Sequence, residues 1–373
     1  MATTRIDRVD RPTKPWRARY TADGRRYAKQ FRTKADAERW LTAQLAARDR
    51  GEHFDPEGGK VPLAEWWPHF LESLPPDRAP ATLSRYGSLW RNHVEPVFGS
   101  VALNRITVEA VQRWLNALQE TRSPDTARQA RQLLGAMLRL AVQRGRLARN
   151  PVDLVRSPRT TPRRQLILHS AEVETLAAAA DGRRPGAGDL VRFLAATGLR
   201  FGEAVALRAG SIDLDSGAVV VERSASEGAG GMTEGPTKSR RRRVVYMGPR
   251  LGARLRPLVE GRNPDDRVFT AAEGGPLWYS AFRRDVWNPA RRVLPAAKRD
   301  VTPHDLRDAY AVAAIRAGAD LIEVSRALGH STPAVTAAHY ADHFDAQRAR
   351  RRAADLEEAS NVVAMRPRTT DAT

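Results

Sequence analysis

The sequence predicts a mainly α protein with small β elements, divided into separate units. Three observations carry this. Apolar residues recur at helical spacing behind N-capping residues through most of the chain. β-rich runs are confined to residues 16–31 and to 217–224 with 241–248. Pro and Gly crowd into 53–62, and Pro and Arg into 149–165, where they read as linkers. The 373 residues suffice for two or three domains with real cores.

Residues 1–60 form the first unit. WRARYTADGRRYAKQF reads as two strands around Asp23-Gly24, a strong hairpin turn signal. Thr33 then caps a helix, KADAERWLTAQLAARDR, that ends at Gly51. After the 53–62 linker comes a helical block, residues 61–160. It opens with the apolar, aromatic stretch LAEWWPHFLES. Its next helix is expected to start at Thr82, with Leu83, Tyr86, Trp90 and Val94 on one stripe. Thr107 opens a helix with Val108, Val111, Leu115 and Leu118 on one face. Ser123-Pro124 opens another that ends at Gly145. The opposite faces carry Arg85, Arg91, Arg128 and Arg131. The basic stretch 149–165 is expected to be an extended connection.

The last large block is residues 161–345. Ser170 is expected to cap AEVETLAAAA, and DLVRFLAATG to end at Gly198, with Arg200 just beyond. FGEAVALRA starts the next helix, and Glu203 within it is placed to orient Arg200. GAVVVERS and RRRVVYMG are strands. Between them ASEGAGGMTEGPTKS is too glycine-rich to predict regular structure, so Lys238 is expected where a loop enters the second strand.

The stretch TPHDLRDAYAVAAIRAGADLIEVSRALGHSTPAVTAAHY gathers the most chemistry. Thr302 is a good N-cap, Pro303 suits the first helical position, and Asp305 completes a short capping box. His304 and Arg307 share one helix face. Gly318 ends that helix, Asp320 caps the next, Gly329 ends it, and His330 follows in the turn. Thr332-Pro333 starts a third, short helix with Tyr340 at or just past its end. ADHFDAQRARRRAADLEEASNVVAM continues as a polar helix, so residues 346–373 read as a C-terminal helix and a disordered tail, RPRTTDAT.

Composition narrows the function. With 62 Lys+Arg against 43 Asp+Glu, the net charge is +19, which favours a polyanionic partner, nucleic acid or an anionic membrane surface. No apolar run reaches the ~18 residues of a membrane span, and the N-terminus lacks the apolar core of a signal peptide. The absence of cysteine excludes disulfides and thiolate zinc sites. The simplest setting is the cytoplasm, with nucleic acid as the anion.

The strings HDLRDAYA and LGHSTPAVTAAHYAD resemble the C-terminal active-site boxes of tyrosine recombinases, the phage-integrase family. TGLRFGEAVAL matches that family's upstream arginine box, and TKSRRRRVV its β-hairpin lysine. The resemblance implies a site-specific recombinase or integrase. It would cut and rejoin DNA through a 3′-phosphotyrosine ester, with no ATP, cofactor or metal. It implies Tyr340 as nucleophile, Arg200 and Arg307 as a phosphate clamp, and His330 as a further donor. His304 would be the base or proton shuttle, and Lys238 the acid for the departing 5′ oxygen. The residue chemistry agrees. Guanidinium forks match phosphate oxygens and stay charged, and a phenol can form a phosphate ester. Asp308 is a departure, because many members carry a second histidine there. His339 and His343 are read as bystanders.

Residues 1–60 resemble the arm-type DNA-binding domain of larger integrases, with Arg17, Arg19, Arg25, Arg26 and Lys29 as candidate contacts. Residues 61–160 resemble the core-binding domain. The implied partners are double-stranded DNA, at core and arm-type sites, three further copies in a tetramer on DNA, and a DNA-bending or excision factor. In that family the C-terminal segment packs on a neighbouring protomer. A type IB topoisomerase shares the chemistry, a metal-dependent transposase would need clustered carboxylates, and a non-catalytic DNA-binding protein would share only the charge.

Overall fold

The computed structural model describes residues 4–22, 25–49, 58–76, 78–158, 165–228, 231–237 and 241–364. The chain splits into two compact units, Met1–Pro162 and Arg163–Thr373.

The first unit begins with an antiparallel sheet in the order β1 (Arg5–Arg8), β2 (Trp16–Ala22), β3 (Arg25–Phe31). The β2–β3 pair is the predicted hairpin, and its turn, Asp23-Gly24, lies outside the described residues. β1 was not legible as a strand. It is only four residues long and shows no alternation of its own. Helix Lys34–Asp49 covers one face, burying Ala18, Tyr20 and Ala37. Thr33 caps it, accepting from the Asp36 amide at 3.1 Å.

The rest of this unit is helical. Leu63–Glu72, Val108–Thr121 and Pro124–Gln143 pack around Trp66, Val94, Leu115, Leu134 and Met137. Thr107 and Ser123 cap as expected. Four expectations need correction. The helix expected from Thr82 starts at Pro80, because proline already suits a first-turn position. Leu83, expected in its buried stripe, is 40% exposed. Gly58–Lys60, part of the expected linker, is a 3₁₀ turn with Gly58 and Gly59 buried. The start of the 149–165 connection is also packed. Asn150 donates to the Gly135 carbonyl at 3.0 Å, and Arg131 donates to the Val152 and Val155 carbonyls at 2.9 Å each. Arg131 is therefore a structural side chain, and Arg128 pairs with Asp125 at 2.5 Å.

In the second unit, helices Ser170–Arg183 and Ala187–Thr197 pack on a core that includes Leu176, Phe193 and Trp287. The cap of the first is His169 rather than Ser170. β4 (Ala218–Val221) pairs antiparallel with β7 (Arg243–Tyr246), as the two apolar runs predict. The glycine-rich stretch between them is not irregular. β5 (Arg223–Gly228) and β6 (Gly231–Pro236) form a hairpin, with Ala225 buried and the Ser226 and Thr233 hydroxyls 3.2 Å apart. Tertiary packing overrides the weak local propensity there.

The C-terminal half closes with Asp305–Arg316, Leu321–Leu328 and Pro333–Ala364. The last of these is the main departure. Tyr340 is not at the end of a short helix but inside one of 32 residues. ADHFDAQRARRRAADLEEA contains no glycine or proline to stop it. This helix packs on its own unit. Phe344 is buried, Gln347 donates to the Ile315 carbonyl, and Arg351 to the Gly318 carbonyl at 3.3 Å. Residues 352–358 are exposed, and the RPRTTDAT tail lies outside the described residues. No helix among the described residues is long and apolar enough to cross a membrane.

Candidate active site

Arg307 sits in the first turn of helix Asp305–Arg316 and is 2% exposed. The helix starts at Asp305 with His304 as its cap, two residues later than Thr302 and Pro303 predict, because the Thr302 hydroxyl donates to the Asp305 carboxylate and does not accept a backbone amide. The Thr302 amide and hydroxyl donate to one Asp305 carboxylate oxygen at 2.6 and 2.7 Å. The Arg307 guanidinium is held by the carboxy ends of two other helices. Nη1 donates to the Gly198 carbonyl at 2.6 Å, and Nη2 to the Leu328 carbonyl. Unpaired carbonyls at a helix end carry partial negative charge, so both ends favour a cation. The glycines that terminate these helices make this possible. Gly198 (φ 66°) and Gly329 (φ 63°) are left-handed, and a Cβ on Gly198 would meet the Tyr310 ring at 2.4 Å. Burial, with Arg200 close by, lowers the Arg307 pKa to about 9, so it stays charged at neutral pH. Two of its five N–H groups are used, leaving donors for a ligand.

Arg200 stands at the N-cap of helix Phe201–Val205. Glu203 orients it as expected, accepting from its backbone amide at 2.9 Å and from its Nη1 at 3.0 Å. Glu203 is 2% exposed and also takes a two-pronged bond from Arg243, at 3.1 and 2.6 Å. Burial raises the Glu203 pKa, but Arg243 and then Arg200 outweigh it and hold the carboxyl below its ordinary range. Arg243 also donates from Nε to the Ala327 carbonyl at 2.9 Å. Two arginines thus take the last two carbonyls of helix Leu321–Leu328, which fixes the turn that carries His330.

His330 is partly buried, and its Nδ1 lies 2.8 Å from the Oγ1 of Thr336, a fully buried side chain. Desolvation, then Arg307 and Arg200, lowers its pKa to about 4, so the ring is neutral at pH 7. The Thr336 hydroxyl can donate to or accept from that nitrogen, so it fixes the orientation of the ring. His304 is exposed just before helix Asp305–Arg316. Partial desolvation lowers its pKa below 6.5, with Asp308 opposing and Arg307 assisting.

Tyr340 is 3% exposed. Its ring packs with Val312, Ile315, Val324, Leu328 and Phe344, and its hydroxyl donates to Asp308 Oδ1 at 2.5 Å. Burial first, then Asp308, pushes the phenol above its ordinary value. The second unit thus gathers Arg200, His304, Arg307, His330 and Tyr340. Lys238 lies outside the described residues, between the buried Thr237 and Arg241 that precede β7.

Three participants were missed in the sequence. Arg243 was lost in the basic run of residues 240–243, which reads as a solvated or phosphate-binding face. Thr336 was an ordinary helical residue. Asp308 was seen only as a departure from a pattern. His339 is exposed, while its carbonyl accepts from Gln165 at 3.0 Å.

Residues 167–347 match the phage integrase family and residues 64–157 the phage integrase central domain. A putative prophage phiRv2 integrase of Mycobacterium tuberculosis is 30% identical over 332 residues, 85% of this chain and 86% of that protein. This chain belongs to the phage integrase family. It is a site-specific tyrosine recombinase that acts through a phosphotyrosine intermediate. The integrase of Mycobacterium phage D29 is 27% identical over 83% of this chain and 85% of its own length. Solved structures share the recombinase fold. The Tn1549 transposon integrase, in complex with a circular intermediate DNA, has a TM-score of 0.66 at 19% identity, covering 78% of this chain and 99% of that one. A lambda integrase dimer bound to a core site has a TM-score of 0.58 at 16% identity, covering 89% and 93%.

Proposed function

We propose that this recombinase integrates a phage or other mobile element by cutting and rejoining double-stranded DNA with Tyr340. The observation that carries the reading is the guanidinium array, in which Arg307 is buried and Arg200 partly buried. Two arginines held by carbonyls and by Glu203 form a rigid, positive, partly desolvated site close to a buried phenol. Such a site suits a phosphoryl transition state, whose charge gathers on non-bridging oxygens. Preorganised donors there are worth roughly 3 kcal/mol each. Arg200 and Arg307 clamp the phosphate, and His330, held by Thr336, donates to a phosphate oxygen. His304 shuttles protons near the nucleophile, and Lys238 protonates the departing 5′ oxygen.

In this reading residues 61–160 bind core-site DNA, 161–345 catalyse, and 346–373 reach a neighbouring protomer through the exposed end of the last helix. Residues 1–60 bind arm-type sites. The face of the sheet opposite helix Lys34–Asp49 supports this. The strand register places Arg5, Arg17, Arg19 and Arg26 there with Gln30. A β-ribbon fits a major groove, whose base edges Arg and Gln can read. Arg5 joins the candidates. Lys29, although exposed, leaves them, because it lies on the helix side of the sheet with its ammonium over the Phe31 and Trp40 rings. The Arg25 side chain lies outside the described residues.

One active site cuts one strand, and joining two duplexes cuts four, so the working form on DNA is a tetramer. A lambda integrase tetramer bound to a Holliday junction, of TM-score 0.55 and 16% identity, supports that assembly. A bending or excision factor and a cytoplasmic setting fit the same reading.

The test is a duplex from the native attachment region, nicked just past the scissile phosphate so that cleavage cannot reverse. With EDTA present, wild type is expected to give a covalent adduct on a denaturing gel and Tyr340→Phe none. No adduct from wild type despite specific binding would sink the reading.

A further inference from the structure

We propose that Asp308 is the proton acceptor for Tyr340, a further catalytic residue in strand cleavage; this rests on Tyr340 being the nucleophile. The carboxylate touches the reacting oxygen. The Tyr340 hydroxyl donates to Asp308 Oδ1 at 2.5 Å, within the range of a strong charge-assisted bond. At 3% exposure, Tyr340 is shielded from bulk water as a competing acceptor. The partners come from two helices held together nearby by Phe344 and by the Gln347–Ile315 bond. Asp308 also directly follows Arg307, so one helical turn positions both the phosphate clamp and the base.

The charged and titratable groups around this pair are Arg307, on the same helix as Asp308, and His304, the residue just before that helix. His304 lies four residues before Asp308, one turn away, where it can take the proton onward.

In cleavage the phenolic O–H bond breaks and its proton passes to Asp308 Oδ1. The freed electron pair forms the Tyr340 O–P bond. The bond from phosphorus to the 5′ oxygen breaks, and that oxygen takes its electron pair and then a proton from a separate acid. A carboxylate is a weak base toward a free phenol. It is sufficient here because the phenolic oxygen becomes strongly acidic as its bond to phosphorus forms. Until a phosphate arrives, the same hydrogen bond keeps the phenol neutral. In rejoining, Tyr340 departs and recovers its proton from Asp308.

The experiment measures single-turnover adduct formation on the nicked duplex across pH for wild type, Asp308→Asn, Asp308→His and Tyr340→Phe, with DNA affinity measured in parallel. Asparagine keeps the shape but cannot accept the proton. Asp308→Asn is expected to lose about 100-fold in rate at neutral pH, with affinity unchanged and the deficit shrinking as pH rises. Asp308→His restores an acceptor and is expected to recover part of the rate, with a fall below about pH 6.5 as the imidazole protonates. Wild-type or faster cleavage by Asp308→Asn overturns the proposal and makes the contact a restraint on Tyr340. A failure of Asp308→His alone to recover any rate, with its affinity intact, also counts against proton acceptance. An adduct from Tyr340→Phe instead overturns the nucleophile assignment beneath it.

Discussion

The two basic regions of this chain hold their arginines in opposite ways. In the catalytic unit Arg307 is 2% exposed and tied to two helix-end carbonyls, and Arg243 is locked on Glu203. On the N-terminal sheet Arg5 and Arg26 are exposed, and Arg17 and Arg19 share a single acidic partner, Asp7, at 2.6 and 3.3 Å. Under the proposed function, the difference separates two jobs. A site that stabilises a transition state must have its donors aimed before the phosphate arrives, because reorganisation during reaction costs rate. A surface that finds DNA needs charge that can adapt to groove and backbone, and ordering it in advance gains little.

The sharpest way to break this comparison is to loosen the rigid site. Arg307→Lys keeps the charge but cannot reach both carbonyls and a phosphate with one ammonium. Single-turnover cleavage is expected to fall by roughly 100–1,000-fold with DNA affinity nearly unchanged. A loss of tenfold or less would mean that charge matters and aim does not. Glu203→Ala tests the frame instead. It removes the shared partner of Arg200 and Arg243 and leaves buried positive charge unpaired, at a cost of about 3–5 kcal/mol in a denaturant titration. A cost near that of an exposed pair, below about 1 kcal/mol, would show that the array does not depend on Glu203.

Much of this frame is legible in the sequence, and the exceptions have physical causes. Helix ends are marked by local chemistry, so Gly198, Gly329 and Asp320 announced their turns. Glu203, three residues after Arg200, announced its partner for the same reason. Arg243 and Asp308 could not be read this way. Their partners lie 40 and 32 residues away, and no local rule brings β7 to Glu203 or helix Asp305–Arg316 to Tyr340. The short helix expected up to Tyr340 and the polar helix expected after it are one, because the motif suggested an end at Tyr340 where no residue breaks the helix. The β5–β6 hairpin shows the converse, a segment of weak local preference held by its surroundings.

A smaller effect follows from His330. Its pKa falls from 6.5 to about 4 on folding, so between those values the unfolded chain binds a proton that the folded chain does not. Stability must therefore fall as pH drops from about 6.5 to 4 and be insensitive to this group below and above that window. The contribution is roughly 2–3 kcal/mol, allowing for a ring that is not fully buried. His330→Gln, compared with wild type by thermal or urea unfolding across this range, is expected to flatten the slope. An equally steep slope in the variant would place the titration elsewhere.

The smallest effects belong to the adaptable surface. Replacing Arg5 or Arg26 by Ala removes an exposed cation without breaking a core. Each is expected to weaken binding to arm-type DNA modestly and to reduce the slope of log affinity against log salt by about 1. Cleavage of an isolated core-site duplex should be unchanged. Lys29→Ala is the internal control, because its ammonium lies over Phe31 and Trp40 on the helix side of the sheet. It is expected to leave the salt slope alone. If Lys29→Ala reduced the slope as much as Arg5→Ala, the DNA-facing side of the sheet would have been assigned wrongly. The contrast between aimed and adaptable arginines would then hold for the catalytic unit alone.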